Sequence, residues 1–342
     1  MVHQDWFTRI TGFSERSPEG VRQSISVDGE RMTSSVNHAT LRCGRLEVPS
    51  LEELRKRALT GSQSERGISV SGVVGDARAL HADSSNAGAV FQVASQFNLL
   101  EMVSPNVTPE RGVGIYEHDG TQGPACAIAC GAGTIYRNYF VELDGQTGQS
   151  ESKQIDCLFE VGEALGNNNQ RLWKMQNGYA LPTARGLEEV VGKLRSKSDE
   201  ELDALRGQLR IGVQWDTQVT LEGCEHSVTQ AYCSALPVAY SGLPRPLWES
   251  FAKLILEATY EATFAVAIAN AATTGNRTLY LTSVGGGAFG NDRRWIESAI
   301  KRACQIFRYH ELDVKIVCYR SMDPGVEELV RSFQSIGRSK PI

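Results

Sequence analysis

Residues 281–290 read LTSVGGGAFG, a short apolar segment that runs directly into a glycine-rich turn. The surrounding periodicity predicts strands at 212–221, 227–235, 278–283 and 314–319 and helices at 246–272 and 292–307. The alternation of strand and helix at the end of this series predicts parallel strands joined by right-handed crossovers. Because such sheets bind ligands outside the carboxyl ends of their strands, the glycine run lies where a ligand is expected.

The chain before residue 103 has weaker patterns. Ser50 and Glu53 predict a capped helix start within residues 1–65. A β-rich run from Gly67 stops at Gly75-Asp76 and predicts the first core strand. Residues 87–102 are apolar with helix-like spacing, which predicts a helix.

The middle of the chain reads as an insertion. Residues 144–178 are rich in glycine, asparagine and glutamine without a clear period, which predicts loops, and Ser198 with Glu201 predicts another capped helix. We therefore divide the chain into an N-terminal extension packed on the core, 1–65, and one domain, 66–342, that carries an insertion at about 144–210.

Composition limits the classes of function. The 342 residues carry a formal net charge of -5 and no long basic run, which argues against a protein that binds nucleic acid by neutralising many phosphates. Eight cysteines without a CxxC pair predict buried free thiols. No segment resembles a signal peptide or a membrane span, so we expect a cytoplasmic protein with no membrane partner, and delivery into another cell stays open.

The glycine run admits four interpretations. It contains GxGxxG, the fingerprint of a dinucleotide-binding site, which requires an acidic residue at the end of the next strand. Here the acidic residue, Asp313, precedes that strand. A P-loop would need Lys-Ser or Lys-Thr after the glycines, and neither is present. A tight turn needs fewer glycines than three in a row plus Gly290. Backbone amides that approach a diphosphate at the start of a helix explain the run best.

At this point the sequence resembles a known family. Residues 281–290, after a long helix and before a helix and a last strand, resemble the second ligand loop of macrodomains, which wraps the diphosphate and distal ribose of ADP-ribose. Val73-Val74-Gly75-Asp76 resembles the first strand of that family, whose aspartate accepts a hydrogen bond from adenine. The resemblance implies a three-layer α/β/α fold with a mixed sheet.

The resemblance covers residues 67–319, with 144–210 unmatched. Residues 112–124 stand in the place of the family's first loop, but they are longer and lack an uninterrupted glycine string. With its extension and insertion, the chain is similar to the large, poly-ADP-ribose-glycohydrolase-like branch and to bacterial effector macrodomains that remove ADP-ribose from ubiquitin.

Candidate site residues follow from the resemblance and from the chemistry. Hydrolysis at ribose C1″ needs a carboxylate that activates water or stabilises an oxocarbenium-like centre. The candidates are Asp292, which resembles the aspartate of a Gly-x-Asp-Arg stretch, Asp119 in the first loop, and Asp216 in an apolar strand. The residues expected to contact ADP-ribose are Asp76, Ala77, Asn98, Gln122, Gly123, Ser283, Gly285, Gly286, Gly287, Ala288, Phe289, Gly290 and Asn291.

Each candidate carboxylate also has an ordinary structural interpretation. Asp292 suits a helix N-terminus, and Asp119-Gly120 suits an Asx turn. His118 and His226 lack metal-ligand spacing, so we expect no metal and no cofactor. The sequence therefore predicts an ADP-ribosyl-acceptor hydrolase acting on modified protein, with ubiquitin as one acceptor. A non-catalytic ADP-ribose reader is the alternative, and an NAD-dependent oxidoreductase is the third hypothesis.

Overall fold

The computed structural model describes residues 4–59 and 66–336. The helices are α1 (Trp6–Thr11), α2 (Pro18–Ser24), α3 (Leu51–Ala58), α4 (Ala77–Ala82), α5 (Gln122–Ala129), α6 (Gly131–Tyr139), α7 (Phe159–Leu165), α8 (Ala184–Arg195), α9 (Asp199–Gly207), α10 (Arg245–Thr274), α11 (Arg293–Ile306) and α12 (Pro324–Ile336). The strands are β1 (Ile25–Asp28), β2 (Arg31–Ser34), β3 (Thr40–Arg42), β4 (Arg45–Glu47), β5 (Ser69–Val74), β6 (Val90–Ala94), β7 (Glu142–Leu143), β8 (Gln146–Thr147), β9 (Trp173–Gln176), β10 (Tyr179–Pro182), β11 (Gly212–Gln218), β12 (Ser227–Cys233), β13 (Thr278–Leu281) and β14 (Asp313–Cys318).

A seven-stranded mixed sheet organises the molecule, in the order β4-β11-β12-β6-β13-β14-β5. The five strands from β12 to β5 are parallel, and β11 runs antiparallel to both β12 and β4. The parallel pairing of β13 with β14 confirms the prediction from the alternating pattern. The carboxyl ends of β12, β6 and β13 therefore meet at one edge of the sheet.

Helices cover both faces of this sheet. On one face α10 contacts β12, β6 and β13 and packs against α3, α8, α9 and α11, with Trp248 and Phe264 fully buried. On the other face α5 contacts β6, α6 contacts β11, and Phe91 stacks between His81 and Tyr280 at ring-centroid distances of 3.8 and 4.5 Å. The predicted three-layer α/β/α class with a mixed sheet is confirmed. No described helix, α10 included, is long and apolar enough to cross a membrane.

The extension does more than pack on the core. Strand β4 forms one edge of the central sheet, and α3 packs against α10. The capping box at the start of α3 is present, because Glu53 accepts from the Ser50 amide at 2.7 Å and donates its own amide to the Ser50 hydroxyl at 3.2 Å. The extension therefore shares the sheet and one helical layer with the rest of the chain.

Residues 87–102 do not form the predicted helix. Val90–Ala94 is β6, a central strand between β12 and β13, and the chain then turns irregularly. Four of its five residues are buried, since helices cover both faces of the sheet. A strand buried on both sides has no alternating polar residues, so its apolar run has the same appearance as a buried helix.

The insertion is more ordered than the predicted loops. Residues 144–178 contribute to the hairpins β7-β8 and β9-β10 and contain α7. The predicted capped helix is present as α9, with the Ser198 and Glu201 capping box closed at 2.8 and 3.3 Å. The hairpin β9-β10 matters for the site because it brings Tyr179 to the carboxyl edge of the sheet.

Candidate functional site

A cavity of about 490 Å³, the main cavity, lies at the carboxyl ends of β6, β12 and β13. The glycine run borders it on one side and residues 118–124 border it on the other. The predicted ligand residues that line it are Ser283, Gly285, Gly287, Ala288, Phe289, Gln122 and Gly123, together with the predicted carboxylate Asp119. Two loops that lie 160 positions apart in the sequence therefore face one another across a single space.

The glycine run presents backbone donors to the main cavity. Within the part of the chain that the structure describes, the amides of Gly285, Gly287, Ala288 and Phe289 donate to no protein acceptor, whereas that of Gly286 is bonded to Ser283 at 2.9 Å. All four of these residues line the main cavity. Free N–H groups close together on one loop create a favourable position for an anion.

Asn291 holds the glycine run in this shape. Its Nδ2 donates to the carbonyls of Leu236 at 2.9 Å and Gly285 at 3.2 Å, and its backbone amide also donates to Gly285. Gly285 has φ of 75°, and a Cβ there would lie 2.4 Å from that of Ala235. Asn291 and Gly285 are thus needed for the turn itself, and Asn291, like Gly290, does not line the main cavity.

The remaining glycines differ in what they face. Gly287 has open space where a Cβ would be, and its φ is one that any residue adopts. Neither the backbone nor a neighbouring protein atom therefore requires glycine at this position. Gly286 borders a separate cavity of about 210 Å³ between the run, α11 and α12, and a Cβ there would lie 3.0 Å from Ile296. Gly287 is therefore the glycine whose missing side chain most directly keeps the main cavity open.

Three aromatic rings form one wall of the main cavity. Phe289 of the glycine run lies 5.2 Å from Tyr179 and 5.7 Å from Tyr240 between ring centroids. The Tyr179 hydroxyl donates to the carbonyl of Met102 at 2.7 Å, which fixes the ring. Such a wall offers flat apolar surface to a sugar or a base. The sequence predicted only Phe289, because Tyr179 comes from the insertion and no local pattern connects it with the run.

Asp119 is the predicted carboxylate that reaches the main cavity. Its Oδ1 accepts from the amide of Thr121 at 2.8 Å, so the Asx turn expected of Asp119-Gly120 is also present. The turn uses one carboxylate oxygen and fixes the side chain beside the main cavity, which His118 also lines. The structural and the functional interpretations of this residue are therefore compatible.

Gln122 and Gly123 border the main cavity while they join α5 to the sheet. Gln122 accepts from the Ala94 amide at 3.0 Å and donates to the Gln92 carbonyl at 3.0 Å. A Cβ on Gly123 would lie 1.9 Å from the Ala94 carbonyl oxygen, so only glycine allows α5 to start this close to β6. Both residues shape the main cavity, and the side-chain amide of Gln122 is already engaged in these two hydrogen bonds.

Glu101 is a lining residue that the sequence did not predict. It is 2% exposed, and its carboxylate lies 3.4 Å from the guanidinium of the buried Arg137. Arg137 also lies over the Tyr232 ring, 3.6 Å from its centroid. Burial raises the pKa of Glu101 to about 7, and nearby Arg137 opposes this shift. The available signal was a carboxylate inside the apolar segment LLEMV, since buried acids are rare unless they are paired.

The predicted adenine residues lie outside the main cavity. Asp76 is exposed at the carboxyl end of β5, where its Oδ1 accepts from the amides of Arg78 at 2.8 Å and Ala79 at 3.3 Å and caps α4. Ala77 follows it in the first turn of that helix. The neighbouring strand β14 ends beside them, and the next residue, Tyr319, is 64% exposed. An exposed aromatic ring and a carboxylate therefore lie at adjacent strand ends.

Asn98 has a structural role instead of facing the main cavity. It is fully buried, its Oδ1 accepts from the Leu100 amide at 3.1 Å, and its Nδ2 donates to Gln154 at 2.8 Å. These bonds attach the irregular segment after β6 to the insertion. The amide side chain is used in the protein and does not line the main cavity, contrary to the expected ligand contact.

Asp216 lies far from the carboxyl edge of the sheet. It sits in a bulge of β11 opposite the first residues of β12, with φ of 51°, and pairs with Arg42. Because β11 runs antiparallel to β12, its later residues lie toward the amino ends of the parallel strands. Asp216 is therefore at the opposite edge of the sheet from the main cavity, and it avoids the cost of a buried charge through exposure and pairing.

Asp292 also lies outside the main cavity. It caps α11 by accepting from the Arg294 amide at 2.9 Å, and it pairs with the Arg294 side chain at 3.0 Å. The hydrogen bond from the Arg294 side chain is the largest cause that lowers the pKa of Asp292 to about 2. Asp292 therefore has the helix-capping role that its position suggested. A carboxylate with this pKa is also a weak general base.

The described residues contain no cluster of three or more His, Cys, Asp or Glu side chains that could hold a metal ion. All eight cysteines are free, and seven of them are buried, as predicted. Burial raises the pKa of Cys126 and Cys130, so neither thiol is activated as a nucleophile.

Bacterial poly(ADP-ribose) glycohydrolases are structural neighbours of this chain. The enzyme from Thermomonospora curvata is 13% identical, with 90% of this chain and 93% of that chain covered and a TM-score of 0.44. The enzyme from Deinococcus radiodurans in complex with ADP-ribose is 12% identical, with 94% and 98% covered and a TM-score of 0.43. No protein-family model and no curated protein matches the sequence.

Proposed function

We propose that this protein binds ADP-ribose in the main cavity and hydrolyses the bond that joins its distal ribose to a modified protein. The observation that carries the proposal is the set of four free amides on the glycine run, which face Asp119 across the main cavity. An anion-binding loop opposite a carboxylate suits a ligand that is charged at its diphosphate and reacts at a neighbouring sugar.

The order of strand ends supports one orientation of the ligand. The diphosphate lies on the amides of Gly285, Gly287, Ala288 and Phe289. Adenine lies toward Asp76 and Tyr319, because β13, β14 and β5 are adjacent and two strand spacings amount to ~10 Å. The distal ribose lies on the other side, between the aromatic wall and Asp119.

Two carboxyl groups divide the chemistry at ribose C1″. The carboxylate of Asp119 stabilises the oxocarbenium-like centre and accepts a proton from the attacking water. Glu101, protonated at neutral pH or below because of its burial, donates a proton to the leaving group. The C1″–acceptor bond breaks, a C1″–oxygen bond to water forms, and the products are ADP-ribose and the unmodified acceptor. Two carboxyl groups, one that donates a proton to the leaving group and one that acts on the attacking water, are a usual arrangement for glycoside hydrolysis.

The acceptor is a protein, and ubiquitin is one candidate. This proposal rests on the sequence resemblance to effector macrodomains. The eight free thiols fit a reducing compartment, so we propose that the reaction takes place in cytoplasm.

Calorimetric titration with ADP-ribose, with NAD and AMP as controls, tests the binding step. Release of ADP-ribose from mono- and poly-ADP-ribosylated proteins, ubiquitin included, tests the hydrolysis. We expect saturable ADP-ribose binding and release from at least one protein substrate. Binding without release would identify a reader, and reduction of tightly bound NAD by a substrate would identify an oxidoreductase. No binding of ADP-ribose would overturn the proposal.

A further inference from the structure

A second cavity of about 270 Å³ adjoins the main cavity. Glu101, Val103, His118 and Asp119 border both spaces, so they meet at the two carboxyl groups proposed to act at C1″. A group attached to C1″ in the main cavity would therefore lie beside the second cavity. The second cavity lies where the leaving group has to be accommodated.

The wall of the second cavity is apolar apart from Glu101, Arg111, His118 and Asp119. Val103, Val107 and Ile115 line it, and Val103 is 60% exposed, a large apolar side chain left in contact with solvent. Arg111 also lines it, and no ion pair of Arg111 occurs within residues 4–59 and 66–336. The apolar part of this wall suits a side chain of a protein segment better than a strongly charged ligand.

A second nucleotide unit fits this wall poorly. Its diphosphate would approach the acidic side chain of Asp119. The turn between Arg111 and Ile115 offers no anion site, because Glu15 already accepts from the amides of Val113 at 2.9 Å and Gly114 at 2.6 Å. The Tyr139 hydroxyl donates to the same carboxylate at 2.6 Å. Repulsion and occupied amides thus disfavour the next unit of an ADP-ribose polymer.

We propose that the second cavity is an acceptor subsite, which holds an aliphatic side chain next to the modified residue of a mono-ADP-ribosylated protein. This assignment rests on the proposed function of the main cavity and adds the substrate class. The protein prefers single ADP-ribose units on apolar segments of protein over ADP-ribose polymers.

Binding by a turnover-deficient Asp119→Asn variant tests the assignment. The probes are free ADP-ribose, a peptide mono-ADP-ribosylated on one serine with leucine beside it, and the same peptide with aspartate in place of the leucine. We expect the leucine peptide to bind about tenfold more tightly than free ADP-ribose, which corresponds to burial of one aliphatic side chain. Addition of Val107→Asp should remove this gain and leave the Kd of free ADP-ribose unchanged.

Val36→Asp, at a half-exposed valine that lines neither cavity, is the matched control and should change no Kd. The unchanged Kd of free ADP-ribose also checks that Val107→Asp is folded, and Val107→Thr provides a milder variant. Equal affinities for the leucine and aspartate peptides, or faster hydrolysis of an ADP-ribose dimer than of the leucine peptide by the wild-type protein, would overturn the acceptor subsite alone. Absence of binding by free ADP-ribose would overturn the proposed function as well.

Discussion

The two loops that face each other across the main cavity are built in opposite ways. The glycine run, 283–291, offers backbone amides held by Asn291, and its side chains leave the space open. The part of the first loop that borders the main cavity, 118–124, offers side chains. Of these, Asp119 is fixed by an Asx turn and Gln122 by the end of β6. Backbone amides suit the diphosphate, which does not change during the reaction. The reaction at C1″ needs an acidic side chain. We therefore expect changes in the run to affect affinity and changes at Asp119 to affect turnover.

The largest expected effect is that of Asp119→Asn on turnover. The asparagine keeps an oxygen for the Thr121 amide, so the turn and the affinity for ADP-ribose should persist, while kcat falls by roughly 10²–10⁴-fold because the negative charge is lost. Single-turnover release of ADP-ribose measures this. Asp216→Asn, at the opposite edge of the sheet, is the control and should retain wild-type kcat. A normal rate for Asp119→Asn would show that the first loop has no catalytic role.

The second expected effect concerns the glycine run. A Cβ at Gly287 would have no protein atom within 4 Å, so Gly287→Val should retain the fold, and we expect the new side chain to occupy space proposed for the diphosphate. Loss of one or two hydrogen bonds to a charged group should weaken ADP-ribose binding by roughly tenfold to several-hundredfold. Calorimetric titration measures this. Gly192→Val in α8, where a Cβ also has open space, is the matched control. Equal affinities of the two variants for ADP-ribose would show that the glycine run does not contact the ligand.

A smaller effect is expected from the buried acid beneath the first loop. If Glu101 donates a proton, activity falls as pH rises above about 7, and in Glu101→Gln this alkaline decline disappears at the cost of a roughly tenfold lower rate. The folded-state pKa lies above its ordinary value of 4.5, so the contribution of Glu101 to the free energy of unfolding is complete below 4.5. That contribution is lost as pH rises to about 7.

The pH dependence of kcat and of urea unfolding, each measured in wild type and in Glu101→Gln, checks both statements. Glu101→Gln is expected to flatten both profiles near neutral pH. An alkaline decline of kcat that persists in Glu101→Gln would assign the proton donor to another group.

The smallest expected effect on turnover is that of Asp292→Ala. Loss of the α11 cap should lower the free energy of unfolding by about 0.5–2 kcal/mol. The same change should alter kcat by less than about twofold, because Asp292 pairs with Arg294 outside the main cavity. Urea denaturation and release assays measure the two quantities. A loss of turnover comparable with that of Asp119→Asn would restore the catalytic role that the sequence resemblance implies for Asp292.

The sequence predicted the glycine run and also Asp119, Gln122 and Gly123 across the main cavity from it, but it missed Glu101 and Tyr179 for physical reasons. Consecutive glycines encode a backbone requirement locally, and the alternating elements around them encode parallel pairing. Glu101 and Tyr179 belong to the main cavity only because β6 and the inserted hairpin end beside the run, and no local period records that proximity. Asp292 and Asp216 are acidic residues in suitable sequence surroundings, but helix capping and sheet direction turn them away from the main cavity. The segment 87–102 was misread because double-sided burial removes the alternation that marks a strand.

The pairing of β5 with β14 has a consequence for synthesis of the protein. Ser69 of β5 and Asp313 of β14 are hydrogen-bonded although they are 244 positions apart. At about 5–20 residues per second, a ribosome needs on the order of 10–50 s to make the chain between them. Throughout that time, Val70 and Val73 form part of a strand without its neighbour. Of the strands in the central sheet, β5 is therefore the one that waits longest for its neighbour to be synthesised.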